Sequence, residues 1–334
     1  MKEVTLIHGA GGELMHELIV NVLARFKNTK TPGGMGLEAL DDGAIISLDN
    51  TSLVLTTDSH VVKPIFFPGG DIGRLAVSGT INDLAVMGAK PLALSSAMVM
   101  VDGFFIEDLR KIVNSMDETM CEVGGAIVTG DTKVVEKGAF DGIMINTTGI
   151  GIAEKPIMDS GLRPGNKIIT TGTIGDHGFA ILAHREGFNF ETDLISDVSP
   201  IWSTIQAGLQ VGGITAMKDP TRGGVANALN EMAKKSGVRI VIEEGTIPIN
   251  PAVRAASEML GIDPLEMANE GKAIIGVEET SAEDVLAAIR KTRYGKDAAI
   301  IGEVQKGKRV IMRTEIGGTR FVETPMGDPV PRVC

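Results

Sequence analysis

The hydrophobic pattern of the first half of the chain predicts strands that alternate with helices. Continuous or alternating apolar residues predict strands over Ala44–Leu48, Ser52–Thr57, Leu92–Val101, Ala126–Val128 and Ile143–Ile152. Apolar residues at helical spacing predict helices over Leu14–Phe26, Asp71–Gly88 and Ile106–Glu122. A loop is predicted over Thr129–Lys133, a segment that follows the strand Ala126–Val128 and contains Gly130. Such alternation is typical of an α/β (α+β) fold.

The second half begins after a segment rich in proline and glycine, Glu154 to Gly165, which is predicted to join two domains. Strands are predicted over Lys167–Thr170, Val238–Ile242, Ala298–Gly302 and Arg309–Arg313. Helices are predicted over Phe179–Arg185, from Gly224 to Lys235, over Pro251–Leu260 and over Ala282–Lys291. We therefore expect domains at residues 1–153 and 154–315, followed by a mobile tail at residues 316–334.

Composition and charge exclude several classes of protein. The chain has 334 residues, a formal net charge of -11 and two cysteines. This charge argues against nonspecific binding of nucleic acid, which needs clustered Lys and Arg. Two cysteines cannot form the disulfide framework of a small secreted protein. The most apolar region, residues 84–105, is interrupted by Lys90 and Asp102, which excludes a membrane span. With no leader-like N-terminus, we expect a cytoplasmic protein.

Five aspartates stand where predicted strands end or helices begin: Asp42, Asp58, Asp83, Asp131 and Asp219. Asp83 follows Asn82 within an otherwise apolar helix, where a buried carboxylate is costly unless it is paired or bound to a metal. It lies either on an exposed helix face or beside a cation, and we favour the cation. Mg²⁺ prefers oxygen ligands and usually shares them with phosphates. The pattern predicts an enzyme that binds a magnesium nucleotide, without identifying its reaction.

Two glycine-rich segments offer main-chain N–H groups to a phosphate. Gly11 and Gly12 end the loop that starts at His8 and precede a predicted helix, although a plain turn explains the same residues. Arg222, Gly223 and Gly224 precede a second helix, where a phosphate can approach the positive helix end.

The chain ends on a cysteine, Cys334, which follows Pro325, Pro329 and Pro331. These prolines favour an extended segment. The thiol is either an accident of a frayed terminus or a reactive group that is carried into a pocket. The other cysteine, Cys121, lies in a predicted helix and is interpreted as a buried structural residue.

Taken together, these motifs resemble the aminoimidazole ribonucleotide synthetase (PurM-like) superfamily and, within it, the HypE family of hydrogenase maturation factors. The resemblance covers nearly the whole chain. It rests on Asp41-Asp42, on Leu55 to Asp58, on Gly79 to Gly88, on Gly130-Asp131-Thr132, on Asp219 to Gly224 and on the ending Pro331-Arg332-Val333-Cys334.

The resemblance implies a two-domain fold whose N-terminal sheet pairs across a homodimer, beside a mixed α/β C-terminal domain. It also implies ATP in a cleft near the dimer interface, with Mg²⁺ held by Asp42, Asp58, Asp83 and Asp219 and with Asp131 beside the nucleotide. In this family a carbamoyltransferase, HypF, loads the terminal sulfur with a carbamoyl group. ATP is then used to dehydrate that group to a cyano group. A HypC–HypD complex passes the cyano group to the iron of a [NiFe]-hydrogenase.

This chemistry requires a base that removes protons from the carbamoyl nitrogen, and Glu270, Lys133 and His177 are candidates. Glu270 is preferred because a glutamate needs no shift to be deprotonated, whereas a lysine needs burial or cationic neighbours that lower its pKa. Two alternatives are a small-molecule kinase or synthetase with an incidental Cys334, and a non-enzymatic docking scaffold that binds nucleotide.

Overall fold

The computed structural model describes residues 3–9, 11–188, 194–325, 327, 330 and 333–334. Its first half is built on a five-stranded sheet in the order β1-β2-β7-β5-β6. The strands of the first half are β1 (Ala44–Leu48), β2 (Thr51–His60), β3 (Phe66–Phe67), β4 (Gly70–Asp71), β5 (Lys90–Val101), β6 (Ala126–Val135) and β7 (Ile143–Ala153). Neighbours in the sheet are antiparallel except β5 and β6, and β3 pairs with β4 in a separate hairpin.

Three helices accompany this sheet: α1 (Gly12–Leu18), which continues into a π-helical turn at Ile19–Leu23, α2 (Ile72–Val86) and α3 (Ile106–Val123). Asp71 begins α2, because its Oδ1 accepts from the N–H groups of Gly73 and Arg74 at 2.6 and 3.1 Å. Nearly every residue of α2 is buried, whereas α3 exposes one face. Cys121 lies on the exposed face of α3, so its interpretation as a buried residue is wrong.

The second half is built on a seven-stranded sheet in the order β14-β13-β10-β12-β8-β11-β9. Its strands are β8 (Lys167–Thr170), β9 (Ile214–Lys218), β10 (Arg239–Glu243), β11 (Ile274–Val277), β12 (Ala299–Gln305), β13 (Val310–Arg313) and β14 (Thr319–Val322). Its helices are α4 (Asp176–Glu186), α5 (Trp202–Val211), α6 (Gly224–Ser236), α7 (Pro251–Leu260) and α8 (Ala282–Arg290).

The structure corrects two boundaries. Thr129 to Lys133 is not a loop, because β6 continues to Val135 in parallel pairing with β5. Gly130 serves close approach there, since a Cβ at this position would lie 2.3 Å from the carbonyl oxygen of Ser96. Residues 319–322 are not part of a tail, because β14 pairs with β13 at the edge of the second sheet. On this arrangement we propose that the two domains divide at residues 153 and 154 and that the second one reaches at least Val322.

Helix α2 lies between the two halves and is bonded to both. The amide of Asn82 donates to the carbonyl oxygens of Ser199 and Glu270 at 3.1 and 3.0 Å, and its oxygen accepts from the N–H of Ile201 at 2.9 Å. This polar residue therefore connects the halves instead of facing solvent. Among the described residues, no helix combines the length and apolarity that crossing a bilayer requires.

Candidate active site in the cleft between the two sheets

Four of the five predicted aspartates lie close together where the two halves meet, and we call this region the cleft. Asp42 precedes β1, Asp58 lies near the end of β2, Asp83 lies on the inner helix α2, and Asp219 follows β9. Oδ2 of Asp83 accepts a hydrogen bond from Oγ1 of Thr56 at 2.7 Å. Burial raises the pKa of Asp83 well above its usual value, and the charges of Asp219, Asp58 and Asp42 raise it further. The fold thus holds these carboxylates close enough to repel one another.

Asp219 shows the same effect from the other side of the cleft. Burial, followed by the charge of Asp42, raises its pKa to about 8, although the Lys218 ammonium opposes this shift. Ionised acids in such surroundings are costly without a compensating cation. The cleft therefore favours a bound positive charge.

Lys218, which sequence reasoning missed, supplies part of that charge at one side of the cleft. Its Nζ donates to Oδ1 of Asp42 at 2.5 Å and lies 3.3 Å from Oε2 of Glu231 and 3.6 Å from Oδ2 of Asp159. Although burial opposes its charging, these three carboxylates raise the pKa of Lys218 well above its usual value. The only sequence signal was a lysine directly before Asp219 at the end of an apolar strand.

The cleft has the chemistry that Mg²⁺ requires, but its ligands are not assembled around one point. The four aspartates offer carboxylate oxygens, which Mg²⁺ prefers. Oδ2 of Asp42 is buried and has no hydrogen-bond partner in the part of the chain that the structure describes. Within those same residues, no three His, Cys, Asp or Glu side chains are grouped so that they could hold a metal ion. The residues fit Mg²⁺ by donor type, and side-chain shifts would have to complete the site.

The two glycine segments meet at the edge of this cleft. Gly11 and Gly12 both adopt positive φ, at 79° and 77°. A Cβ at Gly11 would lie 2.9 Å from the main-chain carbonyl of Arg222, and one at Gly12 would lie 2.0 Å from the carbonyl oxygen of Pro325. The first helix and the start of the tail therefore make a close contact at Gly12 and Pro325. No residue larger than glycine fits at position 12.

The segment Arg222-Gly223-Gly224 opens α6 as expected. Gly223 and Gly224 have φ of 77° and 60°, and a Cβ at Gly224 would lie 2.5 Å from the carbonyl oxygens of Leu265 and Met267. The pKa of Arg222 is raised above its usual value, chiefly by the negative charge of Cys334 and then, against the effect of burial, by Asp58, Glu270 and Asp83. Arg222 is therefore a cation among the acids of the cleft and the last residue of the chain.

The end of the chain lies inside this cleft. Val330 and Val333 are buried, and the half-buried Cys334 packs against the same core. Nε2 of His177 lies 2.8 Å from the carbonyl oxygen of Val333. Pro329, Pro331 and Arg332 lie outside the described residues.

Glu270 is buried in the same region. The N–H groups of Glu270 and Gly271 donate to the two carboxylate oxygens of Asp197 at 3.0 and 3.2 Å, which fixes the turn. Its own Oε1 has no hydrogen-bond partner among the described residues. Burial, then Asp219, Asp58 and Asp197, raises the pKa of Glu270 well above its usual value, and Arg222 opposes this. The premise that Glu270 needs no shift to be deprotonated does not hold in this buried, acidic environment.

Asp131 and Lys133 are not brought to this cleft within one chain. Asp58 pairs with Thr147 on β7, Thr147 with Ser96 on β5, and Ser96 with Gly130 on β6. Three strand spacings separate β2 from β6, which is about 14 Å. Asp131 and Lys133 are both exposed, and they contact each other at 3.5 Å. The burial or cationic neighbour that a catalytic lysine needs is absent around Lys133 in the described part of a single chain.

The sequence matches a known family over most of its length. Residues 40–153 match the N-terminal domain, and residues 163–315 the C-terminal domain, of the family described as AIR synthase related protein. The chain is 52% identical over 336 residues to a putative hydrogenase expression/formation protein of Methanocaldococcus jannaschii, covering 99% of this chain and 100% of that protein. It is 45% identical over 336 residues to the carbamoyl dehydratase HypE of Azotobacter vinelandii, covering 99% of this chain and 97% of that protein.

Solved structures agree with these relatives. HypE in a HypE–HypF complex superposes with a TM-score of 0.87 at 45% identity, covering 94% of this chain and 100% of that one. A HypE solved in complex with ATP superposes with a TM-score of 0.82 at 39% identity, covering 99% and 100%. These findings confirm the two-domain α/β fold and the resemblance that the motifs indicated. The chain therefore belongs to the AIR synthase related proteins and, within them, to the HypE family of carbamoyl dehydratases of hydrogenase maturation.

Proposed function

We propose that this chain dehydrates a carbamoyl group carried on the sulfur of its own Cys334 and uses ATP to do so. The product is a thiocyanate, which supplies a cyanide ligand for the iron of a [NiFe]-hydrogenase. One observation carries the proposal: the end of the chain is built into the molecule, with Val333 buried, its carbonyl oxygen 2.8 Å from Nε2 of His177, and Cys334 packed against the core. A terminus that was merely frayed would have no reason to end there.

The reaction balances as two steps. The carbamoyl oxygen of S–C(=O)–NH₂ attacks the γ-phosphorus of ATP, so that an O–P bond forms, ADP leaves and one N–H proton is lost. The second N–H proton is then removed, the C–O bond breaks and inorganic phosphate leaves, which yields S–C≡N. ATP is needed because an amide oxygen is a poor leaving group and a phosphate is a good one.

The residues of the cleft have distinct tasks in this scheme. Arg222 and the main chain of Gly223 and Gly224 bind phosphate oxygens at the start of α6, with Gly11 and Gly12 closing the cleft over them. Glu270 takes the nitrogen proton once bound cations offset the burial and the neighbouring acids that raise its pKa. Asp42, Asp58, Asp83 and Asp219 would hold Mg²⁺, which would supply positive charge against the phosphates.

The proposal includes a second copy of this chain and two protein partners. Asp131 and Lys133 are exposed on an edge strand about 14 Å from Asp58 in one chain, so their part in the reaction requires a homodimer that brings them to a neighbouring cleft. A HypF-type carbamoyltransferase loads Cys334, and a HypC–HypD complex accepts the cyano group. The HypE–HypF complex of a relative supports the first of these partners. We place these steps in the cytoplasm.

The test is the intact mass of the C-terminal peptide after incubation with a HypF-type carbamoyltransferase, its carbamoyl donor and ATP. Wild type is expected to show a thiocyanate on Cys334, preceded in the time course by a carbamoyl group on the same residue. Cys334→Ala should show neither product while its fold is retained. Cys121→Ala is the matched control and should behave as wild type, because Cys121 is exposed on α3.

Two results would contradict the proposal. Thiocyanate formed by Cys334→Ala would exclude Cys334 as the carrier. A small-molecule kinase or synthetase would then be the better-supported function. ATP that remains unconsumed while carbamoylated Cys334 persists would favour the non-enzymatic scaffold.

A further inference from the structure

The His177 ring contacts the carbonyl oxygen of the penultimate residue, Val333, and is itself held by Ser196 and Phe67; we call this group of residues the tail slot. We propose that His177 is the residue that docks the tail, by binding the main-chain carbonyl of Val333 and so holding the adjacent Cys334 against the core. This inference rests on the proposed role of Cys334 as the carrier and adds the element that positions it.

The hydrogen bonds of the tail slot define the protonation of the His177 ring. A carbonyl oxygen only accepts, so the 2.8 Å contact with Val333 requires a proton on Nε2. Nδ1 lies 2.7 Å from Oγ of Ser196, and that same oxygen accepts from the N–H of Val198 at 3.1 Å. In a neutral ring with its proton on Nε2, Nδ1 is an acceptor, so the Ser196 hydroxyl donates to it. The ring is the neutral tautomer with its proton on Nε2.

The surroundings keep His177 in this state. The imidazole is fully buried, and burial lowers its pKa, against the charge of Asp197 and the Val333 hydrogen bond. Phe67 meets the ring edge to face at 5.5 Å and 85°. Gly178 anchors the start of α4, since its N–H donates to the carbonyl of Ala268 at 3.0 Å. Neither of these two contacts involves the tail, and together they hold the ring in place.

Two consequences follow for the role of His177. Both ring nitrogens are already used, one as an acceptor from Ser196 and one as a donor to Val333, so the ring has no lone pair left for the carbamoyl nitrogen. The expectation that His177 is a base is therefore replaced by a positioning role. The tail slot recognises the tail through the main-chain carbonyl of Val333 and through burial of the Val333 side chain, which is 2% exposed.

The experiment measures how fast iodoacetamide alkylates Cys334 in the full-length protein, with Cys121 of the same molecule as the internal reference. His177→Ala should raise the alkylation rate of Cys334 relative to Cys121 about tenfold, the effect of losing one buried hydrogen bond. His177→Gln should restore part of the protection, because its amide nitrogen can donate near the position of Nε2. His184→Ala is the matched control on the exposed side of α4 and should leave the ratio unchanged.

A folded His177→Ala protein with the wild-type alkylation ratio would overturn the inference. If that variant does not fold, Val333→Asp decides the question from the tail side, because a carboxylate cannot be buried in an apolar slot. Its alkylation ratio should also rise about tenfold, and an unchanged ratio would overturn the inference. The measurement needs neither ATP nor the carbamoyltransferase, so its failure is distinguishable from failure of Cys334 as the carrier.

Discussion

At Asp83 a carboxylate on a buried helix faces three others, Asp42, Asp58 and Asp219. Burial and these charges raise its pKa well above its usual value. An unfolded chain ionises such a group near pH 4. Between that pH and the raised pKa of the folded state, the native protein holds a proton that the unfolded chain has lost. Stability therefore falls as the pH rises through this window. Nucleotide binding and folding make opposite demands on this residue.

Asp83→Asn should separate these demands. Without the charge, binding of Mg-ATP should weaken about tenfold or more, because each carboxylate is a ligand that Mg²⁺ shares with phosphate. The metal-free variant should be as stable as wild type at pH 8, or more stable by about 1 kcal/mol, since the costly charge is gone. Calorimetry and denaturant unfolding measure the two effects.

Asp102→Asn is the matched control for both measurements, because Asp102 is exposed in a turn after β5 and should change neither quantity. Wild-type affinity for Mg-ATP in Asp83→Asn would remove Asp83 from the nucleotide site. A marked loss of stability in the metal-free variant would show instead that the ionised carboxylate supports the fold.

Among the elements, α2 connects the two halves of the molecule through Asn82. Asn82→Ala would leave the buried carbonyls of Ser199 and Glu270 and the N–H of Ile201 without their partner. We expect a loss of about 2–4 kcal/mol in the free energy of unfolding. Asn114→Ala, on the exposed face of α3, should change it by less than about 0.5 kcal/mol. Equal stabilities for the two variants would contradict the bridging role of Asn82.

Sequence patterns predicted correctly those helices and strands whose bounds are marked by nearby residues. Pro251–Leu260, Lys167–Thr170 and Ala44–Leu48 were predicted with their observed bounds, because proline at a helix start and short apolar runs are local features. The strand β6 was predicted too short, because Gly130 resembles a turn and only its contact with Ser96 of β5 explains it. Pairing between distant segments overrode the local signal.

The residues of the site were likewise predictable where a local motif marks them, and not where distant segments come together. Motifs indicated the aspartates of the cleft, since acids at the ends of strands and helices are visible in sequence, whereas Glu270 was named only as a candidate base for the chemistry that the resemblance implies. Nothing local indicated that Lys218 would pair with Asp42, whose Oδ1 lies 2.5 Å away across 176 positions of sequence. The tail slot was equally hidden, because Ser196 and Val333 approach His177 only in the folded chain.

On the scale of the whole molecule, β6 forms an edge of the first sheet that no other strand of the described residues covers. Nearly all of β6 is exposed, and Val128 and Val134 are 65% and 66% exposed. An edge strand with such side chains pairs readily with another chain. We predict a particle of twice 35.1 kDa in sedimentation at micromolar concentration.

Val134→Glu should shift this particle toward the monomer, because a charge on the edge strand opposes pairing. Val211→Glu, at the end of α5 in the second half, is the matched control and should remain dimeric. A wild-type monomer would contradict the dimer, and a fully dimeric Val134→Glu protein would place the contact elsewhere.

The last strand, β14, has a consequence for how tightly the tail slot must bind. Val322 is fixed in the sheet, and Cys334 follows it by twelve positions. A released tail of that length reaches at most about 40 Å, which confines the sulfur to a small volume. Its effective concentration at its own slot is therefore on the order of millimolar. A weak slot suffices under these conditions, and weakness is useful, since a carrier must leave its site as readily as it enters.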